Sequence, residues 1–197
     1  MTAVFLRELS SYFISPVGYV YLAAFYLLAG YQFTVTLLGG SADLTSEFTF
    51  LYTVVLLLTP ILTMRLMSEE RKQKTDQILF SAPVTLTGIV AGKYFAAVAV
   101  YLMGVAVTLL HAAVLTPFAD VSWAIVIGNV VGLALLGMAA IALCMFISAQ
   151  TENQIIAAIG GFASILVVLS LNSIASVVSF APLKQLLTSI SFYSRYY

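Results

Sequence analysis

Between Asp120 and Glu152 the chain reads VSWAIVIGNVVGLALLGMAAIALCMFISAQT, thirty-one residues (121–151) without a charge. About 20 apolar residues suffice to cross a bilayer core of about 30 Å. A stretch this long has to satisfy its own backbone in lipid, which leaves a helix or a closed barrel. The apolar–polar alternation of a barrel strand is absent. This segment decides the fold class, and the same reading extends outward. No Asp, Glu, Lys or Arg occurs from Leu9 to Ala42, Phe48 to Met64, Tyr94 to Ala119, or Asn153 to Leu183. Five spans follow, near 17–38, 48–67, 93–115, 122–148 and 153–172. The second of these gaps is short, and a snorkelling Arg65 lets its helix run to Met67. The fold expected is an all-α polytopic membrane helix bundle.

Composition agrees. Of 197 residues 62% are hydrophobic and 8% are charged, where a soluble domain carries about 25% charged. Mean hydropathy is +1.08. A soluble enzyme, a nucleic-acid binder and a disordered regulator are excluded. The length suits one integral membrane domain. Eight bases balance eight acids, so no strongly charged partner is implied. The lone Cys144 forms no disulfide framework or CxxC site. No signal peptide is expected, because Arg7 and Glu8 lead to Pro16 and a long aromatic-rich span.

The cations set the orientation. With the N-terminus inside, Arg7, Arg65, Arg71, Lys72, Lys74 and Lys93 face the cytoplasm, against Lys184 and Arg195 outside. Asp43, Glu47 and Asp120 fall in outer loops. Five spans leave Ser173–Tyr197 outside as a re-entrant or interfacial segment, and a sixth span is expected beyond it.

Three segments between spans carry information. In Thr2–Ser15, Val4, Phe5, Leu6, Leu9, Tyr12 and Phe13 share one arc of a helix, with Arg7, Glu8, Ser10 and Ser11 on the other. That reads as an interfacial helix (1–16) ended by Pro16, or more blandly as the polar start of span one. The stretch 68–83 mixes Glu69, Glu70 and Asp76 with Arg71, Lys72 and Lys74. Glu70–Lys74 and Lys72–Asp76 are i,i+4 pairs. Apolar Ile78, Leu79 and Phe80 follow before Pro83. It reads equally as a cytoplasmic helix that docks in a groove of another protein or as an ordinary charged loop. In the turn 149–154, Thr151 is placed to cap the fifth span with Gln154 at N3, a structural role.

His111 is the single histidine, too isolated for a metal site. Cys144 reads as packing. No nucleotide loop, HExxH or GxSxG occurs, and no acid sits at mid-span as ion-coupled carriers require. The small residues Gly128, Gly132 and Gly137, and Gly160 and Gly161, read as close helix packing, within one chain or across a dimer. Pro60 is expected to kink span two. The chain has no energy source of its own, but it has an element suited to docking on one.

The run Ser68-Glu-Glu-Arg-Lys-Gln-Lys-Thr-Asp-Gln-Ile-Leu-Phe-Ser-Ala-Pro-Val84, with Gly92-Lys93 after it and an amphipathic helix ahead of span one, resembles the ABC-2 type permease subunits of ABC transporters. Thr151-Glu-Asn-Gln-Ile-Ile-Ala-Ala158 resembles the gliding-motility-type branch. The resemblance implies that 1–197 is one ABC-2 type transmembrane domain and that 68–83 is its coupling helix. Glu69, Glu70, Arg71 and Lys72 would then meet a groove on a separate ATP-binding subunit, which carries the ATP and magnesium. Thr75, Asp76, Ile78 and Leu79 would complete the coupling element, with Thr75, Ile78 and Leu79 fixing it on the bundle. Lys74 stands where the family often has Gly, and Asp76–Gln77 replace a more apolar pair. The resemblance further implies a second permease chain, an exporter in a bacterial inner membrane, and room for an accessory extracytoplasmic protein. No cofactor and no nucleic acid is expected on this chain. A non-transporting membrane scaffold that recruits an ATPase is the alternative. An intramembrane enzyme is a third, disfavoured by its need for paired catalytic groups at depth.

Overall fold

A computed structural model describes residues 2–40, 44–73 and 85–177. Among them there are helices and turns and no strand. The elements are α1 (Thr2–Ile14), α2 (Pro16–Leu38), α3 (Thr45–Thr63), α4 (Ser68–Gln73), α5 (Leu86–Leu115), α6 (Trp123–Ser148) and α7 (Gln154–Val177). α2, the run Thr45–Lys72 that joins α3 to α4, α5 and α6 are long and apolar enough to cross a membrane. α7 adds a shorter apolar stretch, Gln154–Ser170.

Charge gaps place the spans but not their ends. The second span begins at Thr45 rather than 48, which brings Glu47 into its first turn. It ends at Thr63, and residues 64–67 form a turn instead of continuing the helix. The third span begins at Leu86, with Thr85 Oγ1 accepting from Gly88 N at 3.3 Å. Lys93 therefore lies about two turns inside α5. At the start of α7 the cap is Asn153, whose Oδ1 accepts from Ile155 N at 2.9 Å. Thr151, expected there, instead accepts from Asn153 N at 3.1 Å. Its hydroxyl closes a short turn ahead of the cap.

α2, α3, α6 and α5 form a ring in which each helix packs on the next. The diagonal pairs α3/α5 and α2/α6 are not extensively packed. α1 lies against α5 and α2, and α7 lies against α6 and α3. Tyr21, Phe25, Leu51, Val55, Val100, Tyr101, Leu133 and Ile141 fill the interior. Leu27, Leu110, Leu135, Phe146 and Leu166 point outward. Helices that are apolar all round suit a lipid surrounding, where hydrocarbon outside gives no hydrophobic drive to association. Close contacts and interhelical hydrogen bonds then carry the packing.

The glycines divide on this basis. Gly137 leaves space that the Tyr101 ring fills, and the Tyr101 hydroxyl reaches Leu133 O on the same helix. A Cβ at Gly161 would lie 3.1 Å from Pro60 Cβ and 3.3 Å from Cys144 Sγ. One at Gly160 would lie 2.8 Å from Ile147 Cγ2. A Cβ at Gly128 meets nothing within 4 Å, so packing against the described residues does not explain that glycine.

Candidate functional site

At one end of the ring, α1, α4, α5 and the 64–67 turn meet around Lys93. α5 and α1 approach closely because residue 92 is glycine. A Cβ there would lie 3.0 Å from Val4 Cγ1 and 3.2 Å from Phe5 N. The next side chain, Lys93, is 1% exposed. Its Nζ donates to Leu66 O at 2.8 Å. It also lies 3.0 Å from Glu70 Oε1 and 3.4 Å from Glu8 Oε1. Arg7 closes the cluster, with Nη2 2.6 Å from Glu8 Oε1 and 2.8 Å from Glu70 Oε1. Among the described residues two cations and two carboxylates meet there. A buried ammonium is tolerable only with such partners.

α4 has further attachments. Arg65 holds Glu69 through two bonds, Nε–Oε2 at 2.7 Å and Nη2–Oε1 at 2.9 Å. Arg71 donates to Ala149 O at 2.6 Å, at the C-terminal end of α6. A cation there meets the negative pole of that helix and its unpaired carbonyls. Ser148 Oγ donates to Met64 O at 3.1 Å and accepts from Ser68 N at 3.3 Å. Tyr12 OH donates to Leu62 O at 3.0 Å, tying α1 to the last turn of α3. The hydrogen bond to Glu8 is the main reason the Arg7 pKa is raised, and Glu69 acts likewise on Arg65. Both guanidinium groups are held charged. Burial raises the Tyr12 phenol, which stays a neutral donor.

Of the residues expected to meet a partner, Glu69, Glu70 and Arg71 are thus engaged within the chain. Lys72 is exposed. Thr75, Asp76, Ile78 and Leu79 lie outside the described residues, as do Lys74 and most of 173–197. On α1, Tyr12 is buried, while Phe5 and Phe13 pack partly buried on the core. Leu6, assigned to the apolar arc, is exposed. Arg7 and Glu8 turn toward α4 and α5.

The charge spacing has Lys93 facing the cytoplasm where the third span opens; instead it lies buried about two turns inside α5. One signal was available: Lys93 is the only charge between Asp76 and Asp120. Glu47, assigned to an outer loop, is also corrected. It is 1% exposed and contacts His111. Arg65 and Ser148, both site residues here, carried no signal beyond their position at a span end.

A family model described as ABC-2 family transporter protein matches residues 10–195. The chain belongs to that family. No curated protein and no solved structure is significantly similar to it. As an ABC-2 permease it is the membrane component of an ABC transporter and not itself the ATPase. In this ABC-2 permease, the Lys93 cluster joins the segment after the second span to the N-terminal helix α1 and to the third span, α5.

Proposed function

We propose that this chain is the permease subunit of an ATP-driven exporter in a bacterial inner membrane, of the gliding-motility-type branch. In this reading the N-terminus and α4 lie on the cytoplasmic side, where the excess of Lys and Arg favours them. The segment 68–83 is the coupling helix. A separate ATP-binding subunit docks on it and supplies ATP and magnesium, and a second permease chain completes the path.

The observation that supports this most is the set of ties on α4. Glu70 holds Lys93 of α5 and Arg7 of α1, while Arg71 holds the end of α6. A push on the coupling segment is therefore delivered to three helices together. Glu69, Glu70 and Arg71 act as positioning residues that fix the lever. Lys72 and the residues that follow are left to face the ATPase, with Thr75, Asp76, Ile78 and Leu79 completing the coupling element. α1 rides in the membrane interface and moves with the lever. Gly128, exposed with open space beside it, faces lipid or the second permease chain.

The test is purification from native membrane under mild conditions, with identification of retained chains by mass spectrometry. The wild type retains an ATP-binding subunit. Lys72→Glu releases it without loss of the folded permease, whereas Lys93→Met weakens the permease itself. Retention by the Lys72 variant moves the docking surface elsewhere on 68–83. Absence of any ATPase from an intact wild-type preparation overturns the reading. A retained ATPase with no cargo-stimulated hydrolysis favours the scaffold.

A further inference from the structure

The far end of the ring holds a second buried polar contact, and it spans the ring. Glu47, in the first turn of α3, is 1% exposed. Its Oε1 lies 2.6 Å from His111 Nδ1 on α5. The imidazole stacks on Phe33 of α2, with ring centroids 4.2 Å apart and planes 10° from parallel. Glu47 Oε2 has no hydrogen-bond partner among the described residues.

Its position gives this contact meaning. α3 and α5 are diagonal corners of the ring, and along their length they communicate through α2 and α6. The diagonal is closed at the α4 end by Lys93, which donates to Leu66 O in the turn after α3. It is closed at the far end by Glu47 and His111. Residues 93 and 111 are eighteen positions apart on one helix, about 27 Å of rise. That is close to the thickness of a bilayer core. The two bridges therefore sit one at each boundary of the apolar interior, with only apolar and hydroxyl side chains along α5 between them.

The two closures differ in kind. Among the described residues, Lys93 makes three contacts inside a cluster that also holds Arg7, Glu8 and Glu70. At the far end one contact among them closes the diagonal, with one carboxylate oxygen left over. A buried polar atom without a partner is costly, so the closed arrangement gains less than its short bond would give alone. Such a contact can part without dismantling the helices that carry it.

We propose that Glu47 and His111 form a latch that holds the far ends of α3 and α5 together, with Phe33 as the plate against which the imidazole rests. Opening of the bundle at that end requires the pair to separate. The latch is a property of this chain and does not depend on the identity of a partner or cargo.

The experiment places spin labels at Thr49→Cys on α3 and Val114→Cys on α5, both exposed, in a Cys144→Ala background. Labelled protein in lipid nanodiscs is diluted with unlabelled protein, so that only distances within one chain are read. A second label pair, Ile14→Cys with Val90→Cys, reports the α4 end. The unmodified latch gives one narrow distance at each end. In His111→Phe, which keeps the stack on Phe33, the far-end distribution broadens and its mean lengthens, while the α4-end distance is unchanged. The paired variant Glu47→Leu/His111→Phe removes the isolated carboxylate as well, which guards against misfolding, and it opens the far end in the same way. A narrow, unshifted far-end distance in the folded paired variant overturns the latch. Equal broadening at both ends also overturns it, because the pair is then a general packing contact.

Discussion

The two ends of the α3/α5 diagonal are closed by different chemistry. At the α4 end Lys93 is shared by Glu70, Glu8 and the Leu66 carbonyl, with Arg7 bridging the same two acids. At the far end one imidazole meets one carboxylate. A network loses one member and keeps the rest, whereas a single contact is made or broken. The α4 end is thus held as a unit. The far end is closed by one bond among the described residues.

The comparison is broken most severely by Lys93→Met. It leaves the partly buried Glu8 and Glu70 without their buried cation, and removing one partner of a buried pair costs about 3–5 kcal/mol. Thermal unfolding in detergent, followed by size-exclusion chromatography, should show a large loss of stability. Adding Glu8→Gln and Glu70→Gln should restore part of it, since the stranded charges are then gone.

Next in size is a change between the two ends. Gly137→Ala drives a methyl into the Tyr101 ring, and overpacking of this kind costs about 1–3 kcal/mol. Pairing it with Tyr101→Leu should recover most of the loss in the same assay. Failure to recover would mean that the Tyr101 bond to Leu133 O matters more than the space.

Arg65→Gln separates the core of the network from its rim. The Arg65–Glu69 pair is about a quarter exposed on each side, and such pairs contribute about 1 kcal/mol or less. A small shift in melting temperature that shrinks further in high salt is expected. The smallest effect is expected at Gly128→Ala, which meets nothing within 4 Å. Stability of the single chain should not fall, and the gain from removing a helix-interior glycine is about 0.5 kcal/mol. A change in the oligomeric species instead would assign Gly128 to a contact between chains.

Much of this architecture is legible in the sequence. Long charge-free intervals locate the four membrane-length helices and the shorter apolar stretch of α7 among the described residues, because a membrane helix largely excludes charge. The alternating charges of 68–73 and the amphipathic 2–14 mark the two helices outside the spans. The partners are not legible. Glu70 meets Arg7 from 63 positions away and His111 meets Glu47 from 64, and no local pattern encodes such pairings. Lys93 and Glu47 were assigned to the surface for one reason. A charge near a span edge ordinarily ends the span, and these two were drawn inside by a partner on another helix. The cap at Asn153 rather than Thr151 is a smaller case of the same kind, since three adjacent polar residues could each have opened α7.

Glu70 and Lys93 act together to fix α4 on the bundle. A double-mutant cycle measures this directly, using unfolding of wild type, Glu70→Gln, Lys93→Met and the double variant in the same lipid–detergent mixture. The double variant should be more stable than the sum of the two losses implies, by about 1.5 kcal/mol or more, as for close charge pairs elsewhere. Losses that add to within about 0.5 kcal/mol, the behaviour of independent sites, would contradict it.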